Sequence, residues 1–439
     1  MGKPTHMKMY TSTGAHAANV EPARPVSDGL AAESRSGAGR VKLGIDIPLV
    51  LTIATLLAFG LLILYSASMK PSLDFKGTPY YFFLNQVKWA ILGLAVAAVT
   101  MYFDYRKLRR FVVPMMLITV TALFLVLIIG EERLGARRSF LNGSIQPSEL
   151  AKMVIIIYLA IWIKSKETIL NRASFGLFPM MGILGVMAGL ILAEPDISAA
   201  ATIIFLGVMM FYLGGGSMKQ LLLVGIVTAL IGVLVLNIST SLNATFENRW
   251  TNYANGLKDP ILASDHLQRS MESIVRGGLF GVGIGNGTVK FTGLPVSHTD
   301  SIFAVVAEET GLIGSTFTVI LYLILLWRGL KIAQNAIDLE GKLLAGGLTV
   351  WIFAEAIMNI GVMVNLLPFT GNALPFMSSG GSSLITVLAA VGLIMSVGRV
   401  AKREGKSAKG RSYGAVTDLR WRDRRRRVSR PRRSASIGR

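Results

Sequence analysis

The 439-residue sequence contains no cysteine and few charged residues. Without cysteine, the chain can have neither a disulfide framework nor thiol chemistry. Only 16% of its residues are charged, against about 25% in a typical soluble domain. Its mean hydropathy is +0.54, and apolar runs long enough to cross a bilayer as helices recur along the chain. These features indicate a polytopic membrane protein.

The apolar runs are continuous rather than alternating, which favours membrane-spanning helices over a barrel. We predict an all-α polytopic membrane domain over residues 46–400 with ten transmembrane helices. The predicted spans lie near residues 46–67, 87–103, 111–130, 149–164, 175–193, 197–213, 219–238, 301–328, 341–364 and 382–399.

Lysine and arginine are concentrated in alternate connections, as in 104–110, 164–172 and 328–342. The positive-inside rule places these connections in the cytoplasm, and an even number of spans places both termini there as well. The remaining connections then face outward. The longest of them, 239–300, is predicted to be a large extracytoplasmic loop between helices 7 and 8. It contains apolar residues at helical spacing over 267–275, which predicts an amphipathic interfacial helix.

Both ends of the chain differ in composition from the apolar domain. Residues 1–45 are rich in Ala, Ser, Gly and Pro and are predicted to be a disordered cytoplasmic arm rather than a cleavable signal. Residues 401–439 are predicted to be a basic, disordered cytoplasmic tail. From Lys402 to Arg439 there are 15 Lys and Arg against 3 Asp and Glu, a net charge of +12. Such a tail favours anionic membrane lipids, and no nucleic-acid partner is expected because no folded module accompanies the arginines.

Ionisable side chains at or inside the spans are the candidate functional residues, because charge is costly in a membrane. Asp300 ends the long polar loop and directly precedes an apolar run, where a membrane enzyme would hold a base. Glu149 and Lys152 are three residues apart on one helical face. They form either a structural ion pair or a site in which Lys152 lines a cavity for an anionic substrate. Glu194 lies in a short outer turn. It either caps that turn or belongs to the functional site.

Three arginines on the outer side, Arg137, Arg138 and Arg249, depart from the positive-inside bias. They are either solvated or bind a phosphate, which suits the planar guanidinium. Ser382 follows Gly380-Gly381, where backbone can approach a ligand closely or a hydroxyl can cap the last helix. Glu308 and Glu309, in the eighth span, are predicted to be structural.

Several short motifs, taken in order, are similar to those of the SEDS family of membrane glycosyltransferases, which includes FtsW and RodA. The resemblance covers about residues 45–400 and is carried by 135–138, 146–152, 194–196, 277–283, His298-Thr299-Asp300 with 301–304, 308–311, 359–361, 367–368, 374–376 and 380–383. The chain departs from the family pattern in having Glu194 where glutamine is usual, Asn365 where glycine is usual, and an unusual segment over 266–273. The sequence at 378–381 also differs from the usual Ser-Tyr-Gly-Gly.

The resemblance implies polymerisation of lipid II, a disaccharide peptide on a polyprenyl diphosphate, into peptidoglycan strands. The reaction would take place at the outer face of the bacterial cytoplasmic membrane. It also implies a class B penicillin-binding transpeptidase and division proteins as partners. The long arm and basic tail are more like FtsW, so we expect a role at the division septum. The alternatives are a RodA-like elongation polymerase, and a flippase or transporter of lipid-linked sugars.

Within this function Asp300 is the predicted catalytic residue. It is either the base of a single inverting displacement or the ligand of a divalent cation, Mg²⁺ or Mn²⁺, on the diphosphate. No organic cofactor is expected. The predicted substrate-binding residues are Arg137, Arg138, Glu149, Lys152, Glu194, Arg249, His298 and Ser382.

Overall fold

The computed structural model describes residues 45–133, 136–140, 144–170, 174, 176–259 and 263–425. Within these ranges, 131–133, 136–137 and 405–425 are described by their backbone alone. The arm predicted over 1–45 lies outside the described residues except for its last position. So does the end of the predicted tail, 426–439.

The described chain is helical apart from one hairpin. Its helices are α1 (Ile47–Ala67), α2 (Met69–Lys76), α3 (Tyr81–Tyr102), α4 (Val112–Ile129), α5 (Pro147–Ser165), α6 (Leu177–Ala193), α7 (Ile197–Leu213), α8 (Met218–Ile238), α9 (Thr240–Lys258), α10 (Asp265–Gly277), α11 (Val289–Thr292), α12 (Ile302–Gln334), α13 (Leu339–Met363) and α14 (Gly381–Arg425). A 3₁₀ helix spans Tyr105–Arg110, and the strands are β1 (Glu131–Arg133) and β2 (Ala136–Ser139).

Each of the ten predicted spans coincides with one of the long helices, namely α1, α3 to α8 and α12 to α14. In the described part of the chain, seven helices are long and apolar enough to cross a membrane: α1, α3, α4, α8, α12, α13 and α14 as far as Glu404. Helices α6 and α7 are apolar but shorter. The mostly helical, multi-span class is therefore confirmed, whereas the count of ten crossings and the cytoplasmic termini stay predictions.

Two parts of the chain differ from the predicted all-α class and its disordered tail. Strands β1 and β2 pair antiparallel in the second predicted outer connection. They are too short for a periodic sequence signal, although Gly135 between them is a typical turn residue. The backbone of α14 continues as helix to Arg425, because Lys and Arg are good helix formers and no proline interrupts the segment.

The large connection predicted over 239–300 contains three helices, α9, α10 and α11. Helix α10 confirms the predicted amphipathic helix, and it is followed directly by Gly278, whose φ is 53°. A left-handed φ of this kind favours glycine and ends a helix. Helix α9 was missed because its mixture of Asn, Thr and Ser gives little apolar periodicity.

Helix α12 is interrupted at Gly311, whose φ is 67°. The glycine-rich segment after α10 bonds to the backbone on both sides of this break. Leu312 N donates to Gly278 O at 2.9 Å, Val282 N donates to Glu308 O at 3.0 Å, and Gly283 N donates to Glu309 O at 3.1 Å. The backbone groups released by the break are therefore satisfied, which explains the run of glycines over 277–283.

The side chains of Glu308 and Glu309 have structural partners, as predicted. Glu308 Oε1 accepts from Thr288 N at 2.7 Å and from Val289 N at 3.1 Å. Glu309 pairs with the buried Lys290 and accepts from Ser66 Oγ at 2.5 Å. These contacts tie α12 to α1 and to the segment around α11.

Packing of the long helices places two loops against each other at one end of the bundle. Helix α14 lies along α3, and α12 contacts α13, α10 and α1. Trp351, Tyr105 and Tyr322 are among the largest fully buried side chains. The loop before α12, 293–301, meets the loop before α14, 364–380, through Ser379 N donating to His298 O.

Because the chain has no cysteine, single engineered cysteines can test the membrane topology. Asn286 is an exposed residue of the predicted outer loop, and Lys107 is an exposed residue of a predicted cytoplasmic connection. We expect Asn286→Cys to react with a membrane-impermeant maleimide in intact cells, and Lys107→Cys to react only after permeabilisation. Labelling in the reverse order would overturn the topology.

The break in α12 requires glycine. A Cβ at Gly311 would lie 2.4 Å from Gly281 N and 2.6 Å from the backbone of Leu279, at a positive φ. We expect Gly311→Ala to destabilise the protein by roughly 1 to 3 kcal/mol or more, measured as a lower Tm in detergent. Gly182→Ala is the control, because a Cβ at Gly182 meets no heavy atom within 4 Å. Equal Tm values for the two variants would contradict this account.

Candidate active site around Asp300

The segment His298-Thr299-Asp300 is held by its backbone carbonyls. His298 O accepts from Ser379 N at 2.8 Å, and Thr299 O accepts from Ser378 Oγ at 2.6 Å. Asp300 O accepts from Asn359 Nδ2 at 2.8 Å, and the same amide donates to Asn372 O at 2.7 Å. Three successive carbonyls are thus bonded to α13 and to the loop before α14, which fixes the position of Asp300. Asn359, on α13, therefore bonds to two loops and not to another helix in the described structure.

The side chain of Asp300 is largely buried, and among the described residues none donates a hydrogen bond to its carboxylate. Burial raises the pKa of Asp300 to about 6, and Arg138 and Arg249 oppose this effect. The loop backbone lies close by, since a Cβ on Gly371 would be 3.6 Å from Asp300 Oδ2. A carboxylate that is held in place but unbonded can accept a proton from a substrate.

Two arginines share the electrostatic surroundings of Asp300. Arg138 lies on β2, and Arg249 lies on α9 and donates to Ser198 Oγ at 3.1 Å. Ser198 in turn donates to the backbone carbonyl of Thr370. Burial lowers the pKa of Arg249, but an arginine remains cationic at any physiological pH. The predicted cations Arg138 and Arg249 therefore do face the predicted base.

Arg137 also lies on β2, paired in register with Glu132. Its side chain is outside the described part of the structure, so its predicted role in binding phosphate stays a prediction.

Glu149 and Lys152 form the predicted ion pair, with Lys152 Nζ 2.9 Å from Glu149 Oε1. The structure adds a second carboxylate, because Lys152 also pairs with Glu355 on α13. Lys152 is 4% exposed and also lies over the ring of Trp351. Of the two interpretations of this pair, the contacts favour the structural one for Lys152. The sequence analysis missed Glu355 as its partner because the two residues lie 203 positions apart.

Gln146 directly precedes α5, Glu194 directly follows α6, and Ser382 lies in the first turn of α14. Gln146 Nε2 donates to Asp196 Oδ2 at 3.3 Å, and Gln146 N donates to Ser382 Oγ at 3.0 Å. Ser382 therefore connects the start of α14 to the start of α5. Glu194 is fully buried, and burial together with Asp196 raises its pKa to about 8.

His298 lies next to Asp300 in the sequence but packs its ring on Phe82, with the ring centroids 4.6 Å apart. Burial lowers the pKa of His298 to about 4, so the imidazole is neutral near pH 7. Its predicted part in substrate binding is then that of a neutral ring and not of a cation.

His266 was missed as a site residue. Its Nε2 lies 2.8 Å from Ser301 Oγ, next to Asp300, and its ring packs on Phe369 at 4.5 Å. Burial lowers the pKa of His266 to about 4. With Arg249 and Asn252 it lines a cavity of about 170 Å³. The only hint of His266 in the sequence analysis was that residues 266–273 depart from the family pattern. That departure did not indicate a role for the histidine.

A divalent cation at Asp300 was the other predicted role for this residue. In the described part of the chain, no group of three or more His, Asp and Glu side chains is placed to hold a metal ion. Protein side chains here do not form a complete metal site. A cation would need oxygens from the substrate's phosphates, which is how Mg²⁺ is often bound.

Comparison with known proteins identifies the family. The model of the cell cycle protein family of FtsW, RodA and SpoVE matches residues 47–403. The chain belongs to this family, the SEDS family. The match includes every candidate site residue named above.

SEDS proteins similar to this chain include the probable peptidoglycan glycosyltransferase FtsW of Trichlorobacter lovleyi. It is 35% identical over 371 residues, which cover 83% of this chain and 96% of that protein. The stage V sporulation protein E of Bacillus subtilis is 35% identical, with 81% of this chain and 98% of that protein covered. The curated SEDS relatives thus match over almost their whole length.

Solved structures have the same fold. A chain of a peptidoglycan synthase complex that coordinates polymerization and crosslinking has a TM-score of 0.67 at 27% identity, covering 81% of this chain and 98% of that chain. The rod shape determining protein RodA of Thermus thermophilus has a TM-score of 0.58 at 27% identity, covering 81% and 97%.

The charges around Lys152 give a prediction about stability. Lys152→Met leaves the buried Glu355 and the mostly buried Glu149 without their cation, which we expect to cost roughly 3 to 5 kcal/mol. Adding Glu355→Gln should recover part of this loss. Lys164→Met is the control, since its pair with Glu167 is exposed and worth at most about 1 kcal/mol. Tm measured in detergent tests this, and an unchanged Tm for Lys152→Met would favour the substrate-binding interpretation.

Proposed function

We propose that this SEDS protein polymerises lipid II into peptidoglycan glycan strands at the outer face of the cytoplasmic membrane, with Asp300 as the general base. One observation carries the assignment. Asp300 is fixed through its backbone while its carboxylate has no donor among the described residues and is flanked by two arginines. Support also comes from the relatives named as probable peptidoglycan glycosyltransferases.

The proposed reaction is a single inverting displacement. The Asp300 carboxylate takes the proton of the 4-hydroxyl on the acceptor sugar as that oxygen bonds to the anomeric carbon of the donor. The bond from this carbon to the polyprenyl diphosphate breaks, and the diphosphate leaves with the electron pair. One carboxylate is enough, because no covalent intermediate forms on the protein.

The leaving diphosphate needs positive charge, which Arg138 and Arg249, whose charges act on Asp300, would supply. Arg137 is a third candidate from the same strand. We assign Lys152 and Glu149 a supporting role, in which their ion pair fixes the start of α5. Ser382 has a similar role between α5 and α14. His298 contributes a neutral ring beside the acceptor sugar.

Asp300 as ligand of Mg²⁺ or Mn²⁺ is the alternative role for the same residue. Because protein ligands are too few here, such a cation would arrive with the diphosphate. Loss of turnover with EDTA and recovery with Mg²⁺ would favour this role, and turnover unaffected by EDTA would favour the base. We derive no step of the reaction through a cation.

We also propose a role in cell division at the septum, with a class B penicillin-binding transpeptidase and division proteins as partners. The relatives named FtsW support this proposal. The coordinated polymerization and crosslinking described for the solved synthase complex supports a crosslinking partner. Membrane lipids surround the apolar helices, and the basic tail favours anionic ones.

The decisive experiment is polymerisation of labelled lipid II by the purified protein. We expect Asp300→Asn to lower the rate by about 10²- to 10⁴-fold, the usual contribution of a general base. Asp74→Asn is the matched control, because Asp74 is exposed on α2, and it should retain the wild-type rate. Wild-type turnover by Asp300→Asn would remove Asp300 from the mechanism.

The pH dependence gives a second readout of the same base. Asp300 must be ionised to accept a proton, and its pKa is raised to about 6. The rate at low substrate should therefore rise with pH up to about 6 and level off between about pH 6 and pH 7. A rate that is flat between about pH 4.5 and pH 7 would contradict a base with this pKa.

A further inference from the structure

Glu194 is a buried carboxyl group with no partner in the described part of the chain. Its side chain is 0% exposed, and neither of its oxygens has a hydrogen-bond partner. An ionised carboxylate in such a place would lose its hydration without compensation, which is very costly. The neutral acid has a much smaller cost and keeps one O–H donor.

The charges that face Glu194 come from its own turn and from β2. Asp196, two residues on, repels a negative charge at Glu194, whereas Arg138 attracts one. Burial and Asp196 outweigh Arg138, so the pKa of Glu194 is raised to about 8. Asp196 itself is held by Gln146 and caps α7 through Ala199 N at 3.0 Å.

Arg138 is shared between two carboxyl groups. It faces both Glu194 and Asp300, and it opposes the rise in pKa at each of them. If Glu194 were ionised, Arg138 would be drawn into a pair with it. When Glu194 is neutral, it does not compensate the charge of Arg138. That charge is then available near Asp300, where the proposed reaction brings an anionic diphosphate.

We propose that Glu194 carries a proton in the working protein and is a positioning residue that keeps Arg138 available to the anionic substrate. This inference rests on the proposed function. Glu194 does not take part in the proton transfer itself. Its ionisation at alkaline pH pairs it with Arg138 and weakens binding of the diphosphate.

The test is the KM for lipid II between about pH 6 and pH 9.5, measured on the full-length protein. For the wild type we expect KM to rise above about pH 8, approaching tenfold per pH unit, with a much smaller change in kcat. Glu194→Gln keeps a neutral donor of the same shape. It should abolish the alkaline rise in KM. Glu167→Gln, at an exposed ion pair, is the control and should retain the wild-type profile.

Two results would overturn the inference. One is the same alkaline profile in the wild type and in Glu194→Gln. The other is an increase in KM of about tenfold or more at neutral pH in Glu194→Gln, which would show that a carboxylate is required. If Glu194→Gln fails to fold, Glu194→Leu is also neutral, breaks no hydrogen bond of the described structure, and should likewise lack the alkaline rise.

Infrared difference spectroscopy tests the proton without any turnover. The wild type should show a protonated carboxyl band that disappears above about pH 8 and is missing in Glu194→Gln or Glu194→Leu. Absence of that band in the wild type at neutral pH would overturn the inference. A protein that shows the band but polymerises no lipid II at any pH would instead count against the proposed function.

Discussion

The site depends on how Asp300 is anchored. Its carbonyl and those of the two preceding residues accept hydrogen bonds from Asn359, Ser378 and Ser379. If the Asp300 carboxylate accepted hydrogen bonds from the protein, it would have fewer free acceptor sites for a substrate. Because the residue is held through its backbone, both carboxylate oxygens stay available. The loops before α12 and α14 must stay together for this, so helices far apart in sequence determine the position of one residue.

The cations around Asp300 likewise divide into those that are paired within the protein and those that remain available to a ligand. Lys152 is neutralised by Glu149 and Glu355, and Lys290 by Glu309. Those cations are compensated within the protein and stabilise its helices. In the part of the chain that the structure describes, Arg249 donates to the hydroxyl of Ser198 and pairs with no carboxylate. Arg249, whose charge acts on Asp300, is therefore a cation that remains available to an anionic ligand.

The sequence predicted the fold well where the signal was long and apolar. The positions of ten helices, the amphipathic α10 and the structural roles of Glu308 and Glu309 could be predicted from hydropathy and helical spacing. The hairpin of β1 and β2 and helix α9 could not, because one is short and the other polar. The break at Gly311 was equally invisible, since it depends on hydrogen bonds from a segment some thirty positions earlier in the chain.

Within the site, the sequence identified which residues carry charge but not which charges meet. Asp300, Arg138 and Arg249 were named from their chemistry, and the fold brings them together. The partner of Lys152 and the contact of His266 with Ser301 are long-range pairs that no local pattern encodes.

The protonation state of a side chain is harder still to predict from sequence than its contacts. Glu194 reads as an acidic residue in a turn, and only its burial and its lack of a hydrogen-bond partner distinguish a neutral acid from a carboxylate. The state of one proton on Glu194 decides whether Arg138 is compensated within the protein or available to a ligand, so the balance of charge around Asp300 is set by burial as much as by residue type.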